Sequence, residues 1–491
     1  METLQVSTKK FNYKDFLPLF KGPVRVKLAQ SALNNIEQSH ANLKKLLKEE
    51  NIIYGVNTGF GNLSQILIDK DDQNQLQTNL VRSHASAIGK PLDLGIVRTI
   101  LFLKLLTYAH GYSGVSIGLV KKILQLLNKD ILPVIPEKGS VGASGDLAPL
   151  GHMALSIIGE GEVFYKGKIS KTKTIFNKVK ISPLTLGPKE GISLINGTQV
   201  STALAIKACI DGEILIKSAD IAGALSVENS FSSRKVFQSK IHQLKYHPGQ
   251  RKSAKNVYNI LSGSEIVSSH SNCGKIQDPY SFRCIPHIHG ACRDFFINAE
   301  KVINNEINSV SDNPLIMDKK SVMSSGHFHG EHISQAMDSL AIAFSELGSI
   351  SERRIHFFMK GIKPNIPPFV TTDPGLESGY MIAHVTATAL ASENKTLSHP
   401  ASIDSLPTSG GQEDLVSMAP WAAQKLLNIQ LNLSYIIAIE LIVAGAANCI
   451  AADKLTPGRG TKTVLDMLKN NCNYNKRDRH LTPEIESISG I

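Results

Sequence analysis

Five long stretches, residues 96–128, 198–225, 330–358, 380–398 and 421–452, carry apolar side chains at three- and four-residue steps with few β-branched alternations. That spacing gathers the apolar positions on one face of a helix, and helices this long must cover those faces with one another. The chain is therefore read as mainly α, built around long bundled helices. Strand-like pieces are short; Val163-Phe164-Tyr165 ahead of Lys166-Gly167-Lys168 predicts a small hairpin. The most apolar run, Leu431 to Ala452, contains Asn432, Ser434, Glu440 and Asn448. A carboxylate in the middle of a bilayer is costly, so this run is read as a buried bundle helix and no membrane partner is expected. Without an internal repeat or low-complexity linker, the expected division is an N-terminal region, 1–190, followed by a long helical region, 191–491.

Charge narrows the partners. The formal net charge is +11, yet Lys and Arg are scattered, and the densest cluster, Lys476-Arg477-Asp478-Arg479, is short and interrupted by an acid. A solvated basic surface is expected, with no nucleic-acid partner. The six cysteines, at 209, 273, 284, 292, 449 and 472, form no CxxC pair and read as reduced thiols. Residues 1–20 lack the apolar stretch of a signal peptide, so the expected location is cytoplasmic.

Chemistry is sought in the loops where Gly and Pro cluster: 55–61, 133–151, 183–197, 279–290, 361–375 and 405–411. The barest of them runs VGASGDLAPLGHMAL, with Ser144 between Ala143 and Gly145 and Asp146 following at once. A plain reading makes this a tight turn at a helix start, with Ser144 or Asp146 as N-cap. A chemical reading is also open. If the Gly145 nitrogen faces the Ala143 carbonyl, a five-membered ring can close; loss of water and then of the Ser144 hydroxyl leaves an exocyclic methylidene, a strong electrophile. Glycine offers the least crowded amide nitrogen, and a rigid fold can align the two atoms.

That run resembles the histidine and aromatic amino-acid ammonia-lyases, whose prosthetic group is such a methylidene-imidazolone. The resemblance recurs in order as YGVNTGFG (54–61), LVRSHA (80–85), LINGTQ (194–199), QDPYSFRC (277–284), SVSDNPLI (309–316), ERRI (352–355) and ALASENKTLSHPASIDSLPTSGGQEDLVSMAP (389–420), covering nearly the whole chain. Ordered blocks are far more specific than one tripeptide. The resemblance implies a long-helix bundle of the ammonia-lyase and fumarase-like type, with the smaller N-terminal region carrying the prosthetic group. It implies a 4-methylidene-imidazol-5-one formed autocatalytically from Ala143, Ser144 and Gly145, with no metal or diffusible cofactor. It also implies a homotetramer whose sites draw on several subunits, acting on a small amino acid.

Residue roles follow from the matching blocks. A Gly-hinged loop can close over a site and bring in a phenol, and an ionised phenol is a stronger base than a carboxylate; the resemblance makes Tyr54 the candidate base. QDPYSFRC supplies Gln277, Tyr280 and Arg283. Arg is best shaped for a bidentate grip on a carboxylate, and the matching Arg has that role in the family. Gln277 and Tyr280 are implied to line the site near the electrophile, and the base role stays open between Tyr280 and Tyr54. Asn196, which alone would read as a helix N-cap, is implied to stand against the prosthetic group and the substrate carboxylate.

Substrate choice is implied by the ring pocket. His84 and Glu413 match histidine lyases, where phenylalanine lyases have an apolar residue and aromatic lyases usually a Gln. A buried carboxylate accepts an imidazole N–H, whereas a benzene ring would leave it desolvated and unpaired. L-Histidine is thus the expected substrate and trans-urocanate the product; a tyrosine or phenylalanine lyase or 2,3-aminomutase is the alternative. The plain reading of Glu413-Asp414 is a cap on a helix over 415–430. Phe328 matches a pocket residue, but its neighbour His327 replaces the family's usual Asn, and Pro286-His287-Ile288-His289 departs from a usual Gln-rich continuation. Gly411 and Leu415 depart as well. His327, His329 and His332 are spaced to bring two imidazoles to one helical face, but no carboxylate or Cys completes a convincing metal set.

Overall fold

The computed structural model describes residues 2–270, 276–452, 454–474 and 478–490; Cys273, Lys476 and Arg477 lie outside the described residues. The described chain is mostly helical. Four of the five apolar stretches are single helices, Gln199–Asn229, Glu331–Met359, Met381–Leu397 and Ala419–Ala451. The fifth is broken into Leu94–Ala109 and Ile117–Asn128. Apolar spacing continues through the break, but the backbone does not: Gly111 and Gly114 take φ of +77° and +70° there, and Ser116 caps the second helix by accepting from the Leu119 amide.

Contacts group the chain into two units. The first comprises Met1–Ile210, Glu300–Met337 and Pro400–Gln424; the second comprises Asp211–Ala299, Asp338–His399 and Lys425–Ile491. Residues 1–190 therefore all fall in the first unit, and 191–491 are shared between the two.

In the first unit, Leu94–Ala109 is the central helix, with every residue from Gly95 to Ala109 buried. A helix apolar on all sides belongs in an interior. Three other helices, Gln73–His84, Leu147–Ile157 and Glu190–Ile195, pack against one another. Their approach depends on absent side chains. A Cβ on Gly151 would stand 2.8 Å from the His84 carbonyl carbon, and one on Gly191 would stand 2.5 Å from the Gln77 oxygen. The predicted hairpin pairs Glu162–Tyr165 with Lys168–Lys171, and both turn residues, Lys166 and Gly167, take positive φ as a tight two-residue hairpin requires.

The second unit has an apolar cluster that includes Ala224, Val227, Phe237, Val257, Phe282, Ile285 and Ile350. Through it runs a buried polar chain. Glu440, fully buried, accepts from Arg354, Ser226 and Ser351. Arg354 Nη1 also lies 3.4 Å from His289 Nε2, and His289 Nδ1 lies 3.0 Å from Asp220. Asp220 further accepts from Ser253, Asn256 and Arg293. Ala419–Ala451 is long and apolar enough to cross a membrane, but 78% of its most apolar window is buried, as the bundle-helix reading expects.

A buried ion pair contributes little net stability but is costly to halve. Arg354→Met should lower unfolding stability by about 3–5 kcal/mol, because Glu440 keeps its charge and loses its cation. Replacing Glu440 with Leu as well should recover most of that loss in urea denaturation. A single variant within ~1 kcal/mol of the native protein would refute the assignment.

Candidate active site

The three mutually packed helices bring three of their ends to one cavity of about 610 Å³ in the first unit, lined by Tyr54, Leu80, His84, Ser144, Ile192, Asn196, Asn313, Phe328, Gln412 and Glu413 among others. His84 is the last residue of Gln73–His84. Ser144 comes two residues before the N-cap of Leu147–Ile157, and Asn196 is the C-cap of Glu190–Ile195. The positive end of the Leu147–Ile157 helix dipole thus lies beside Ser144.

The bare loop is clamped from both sides. Gly145 pairs with Gly197 as a parallel bridge. The Asp146 amide donates to Gly197 O at 2.8 Å, and the Gly197 amide to Ser144 O at 3.4 Å. On the other side Met418 N donates to Val141 O at 2.8 Å, and Ser417 Oγ to Gly142 O at 3.2 Å. Gly145 takes φ +80°, and a Cβ there would stand 2.2 Å from Gly197 O. No residue but glycine fits. Asp146 stands at the N-cap position, but its side chain does not cap: its carboxylate accepts from the Ser201 amide and hydroxyl, at 2.8 and 2.6 Å.

Opposite the loop, Ser144 Oγ donates to Glu413 Oε1 at 3.0 Å. Glu413 does not cap a helix over 415–430, because that helix starts only at Ala419. Instead Thr408 Oγ1 donates to Glu413 Oε2 at 2.5 Å, and the two backbones form a bridge. His84 Nδ1 lies 2.9 Å from Leu80 O, so Nδ1 carries the hydrogen and Nε2 is left as an acceptor. Burial lowers the His84 pKa, against the opposing pull of the Leu80 carbonyl and Glu413. Asn196 is a C-cap where an N-cap was the plain expectation; its Nδ2 donates to Asn313 O at 3.0 Å, and its buried Oδ1 has no hydrogen-bond partner. Tyr54 OH accepts from the Gly61 amide at 3.0 Å, and Asn62 Nδ2 donates to Gly410 O at 3.2 Å, tying the glycine-rich loop to the Glu413 loop.

Gln277, Tyr280 and Arg283 belong to the second unit and are not among the residues lining the cavity at Ser144. Gln277 and Arg283 line a separate cavity of about 560 Å³. The Arg283 guanidinium lies 4.6 Å from the Tyr280 ring, Tyr280 is 69% exposed, and Arg283 Nε is buried with no hydrogen-bond partner. His327 hydrogen-bonds Ser325, and His329 Nε2 lies 3.3 Å from Leu415 O. Among the described residues, no three His, Cys, Asp or Glu side chains converge as a metal would require.

Sequence reasoning missed the charges behind the site. Lys189 and Asp312 form a fully buried pair at 3.1 Å. Lys104, also fully buried, has its ammonium pushed down to about 7 by burial, against the pull of Asp312 and Asp146. Burial pushes Asp146 up to about 6 despite its hydrogen bonds from Ser201. Asn313 and Thr408 were likewise missed, although both lie inside quoted blocks. The available signal was a pair of cations, Arg98 and Lys104, within a largely apolar helix.

The chain is similar to known proteins along nearly its whole length. The chain matches the family model of aromatic amino acid lyases over residues 11–470. A histidine ammonia-lyase from Myxococcus xanthus is 41% identical over 479 residues, covering 97% of this chain and 94% of the relative. Tyrosine aminomutase from Streptomyces globisporus has a TM-score of 0.93 at 31% identity, covering 99% of this chain and 96% of that one. Histidine ammonia-lyase from Trypanosoma cruzi has a TM-score of 0.90 at 32% identity, covering 100% and 93%. The chain belongs to the aromatic amino acid lyase family, and it is a carbon–nitrogen lyase.

The buried lysine has a consequence for stability. Between about 7 and the ordinary 10.5, the unfolded chain keeps a proton on Lys104 that the folded chain has shed. Stability from this group therefore rises with pH through that window. Asp146 acts between 3.8 and about 6, where the folded chain holds the extra proton and its contribution falls as pH rises. In thermal unfolding followed across the alkaline window, Lys104→Gln should flatten the rise relative to the native protein; parallel profiles would contradict the buried-amine assignment.

Proposed function

We propose that this chain removes ammonia from L-histidine by non-oxidative elimination, giving trans-urocanate and opening histidine degradation. One observation carries the choice of substrate: Glu413 presents a carboxylate oxygen 3.0 Å from Ser144 Oγ, in the cavity that His84 also lines. An imidazolium has two N–H donors, and Glu413 Oε1 and His84 Nε2 are two acceptors for them. The name shared by the relatives from Myxococcus xanthus and Trypanosoma cruzi supports the same reading.

Ala143-Ser144-Gly145 suits the 4-methylidene-imidazol-5-one. Ala143 is buried, Gly145 has a conformation and a crowding that exclude a side chain, and Gly197 holds the backbone on both sides of the Gly145 nitrogen. When formed, the group supplies an electrophilic methylidene carbon, the electron sink that an unactivated amino acid needs to lose ammonia. Tyr54 takes the proton from the substrate β-carbon, with Tyr280 sharing or exchanging that role. Asn196, which lines the cavity, stands beside the substrate. Phe328 closes the ring pocket, whose apolar wall excludes water and strengthens the hydrogen bonds to Glu413.

Arg283 grips the carboxylate, with Gln277 and Tyr280 beside it. We assign this trio to a neighbouring subunit of a homotetramer. Support comes from Tyr280, 69% exposed, and from exposed apolar residues on Met381–Leu397, Ile382 at 63% and Val385 at 54%, which suit a face covered by another copy. The five described cysteines are free thiols, in keeping with a cytoplasmic enzyme.

Ser144→Ala should abolish turnover while leaving a folded oligomer, followed by the ultraviolet absorbance of the conjugated acrylate; retained activity would overturn the reading. Glu413→Gln should lower kcat/KM for histidine roughly ten- to hundred-fold, the equivalent of a charge-assisted hydrogen bond. Incubation with tyrosine and phenylalanine tests the sister activities directly, and a preference for either would displace histidine. Mixing separately inactive Ser144→Ala and Arg283→Gln chains during refolding should restore partial activity, which a site built from one chain could not do.

A further inference from the structure

The Lys104 amine donates to two backbone carbonyls, Asn196 O at 2.7 Å and Ser193 O at 3.1 Å. Both belong to the end of Glu190–Ile195 and its cap, where carbonyls have no partner inside the helix. A lysine kept in an apolar interior pays heavily in desolvation, so its contacts there are specific. The residue after Asn196 is Gly197, whose oxygen takes the Asp146 amide and whose amide reaches Ser144 O. Ser144 O and the Gly145 nitrogen share one peptide unit. The chain of contacts therefore runs from the Lys104 amine, through two residues of backbone, to the peptide whose nitrogen must meet the Ala143 carbonyl.

We propose that Lys104 is a positioning residue for prosthetic-group formation: it pins Asn196-Gly197, and that dipeptide holds the Ser144–Gly145 peptide in the attitude that ring closure needs. This rests on the reading that the ring forms at Ala143-Ser144-Gly145. The geometry separates Lys104 from its neighbour Tyr108, one turn further along the same helix. Tyr108 OH donates to Ser193 O at 3.0 Å, duplicating one of the two lysine bonds. The bond to Asn196 O, which leads to Gly197, is made by Lys104. Misplacing a reacting pair by a fraction of an ångström is enough to slow an intramolecular closure, because the closure depends on alignment. Lys104 suits a static clamp in either protonation state, since the neutral amine still carries N–H donors.

The test reads the tripeptide itself, by peptide mass spectrometry of folded, assembled protein purified under matched conditions. The native chain should show residues 143–145 short of two waters. Lys104→Met should show several-fold less of the dehydrated peptide in its folded fraction, while Tyr108→Phe, which loses a buried hydrogen bond in the same place, should remain fully dehydrated. If Lys104→Met yields no folded protein, Lys104→Gln carries the test: its shorter amide cannot reach both carbonyls as the amine does, and incomplete dehydration supports the clamp. Complete dehydration in a folded Lys104 variant overturns the clamp and leaves the prosthetic group standing, and equal loss in Tyr108→Phe overturns it in favour of general destabilisation. An intact serine in the native chain would instead overturn the prosthetic-group reading, and the clamp with it.

Discussion

The backbone pairing of Gly145-Asp146 with Gly197 is the constraint on which the rest of the site depends. It joins a loop that would otherwise be free on one side to the end of a buried helix, and only glycine at 145 permits the approach. The three helices that meet there are brought close by Gly151 and Gly191, whose missing side chains let backbone lie on backbone.

Buried charge is the second organising element, and it serves different ends in the two units. In the first, Lys189 with Asp312, and Lys104 near Asp146, lie beneath the cavity and tie helix ends and loops by hydrogen bonds to backbone and side chains. In the second, Glu440, Arg354, His289 and Asp220 form a continuous chain inside the helices, and Arg354 also reaches the Ser281 carbonyl between Tyr280 and Arg283. Interiors of this kind favour one arrangement over near alternatives, because any shift leaves a charge or a donor without its partner. His289, a departure from the family pattern at the sequence level, is a member of this chain.

Glu413 illustrates how a carboxylate acquires direction. Its second oxygen is held by Thr408, so the first is aimed at Ser144. On the proposed histidine reading, that acceptor is oriented before substrate arrives, and a ring without N–H groups would bury it unsatisfied.

Much of this was legible in the sequence, because long apolar periodicity and ordered short motifs are local properties. The helices Glu331–Met359 and Met381–Leu397 fall almost where their spacing puts them, and Tyr54, His84, Ser144, Asn196, Phe328 and Glu413, all singled out from their motifs, line one cavity. Periodicity failed at 110–116, where the backbone conformation of glycine outweighs apolar spacing. The plain capping readings of Asn196 and Glu413 do not hold, because capping depends on where a neighbouring helix begins or ends. The sequence by itself determined the helical class and the chemistry available at each loop, since both are carried by residue type and spacing. Tertiary structure alone decided which of those residues meet, that Lys104 lies beneath Asn196, and that Gln277, Tyr280 and Arg283 stand in another unit. Those outcomes depend on packing between segments far apart along the chain, and short-range spacing carries no record of such distances.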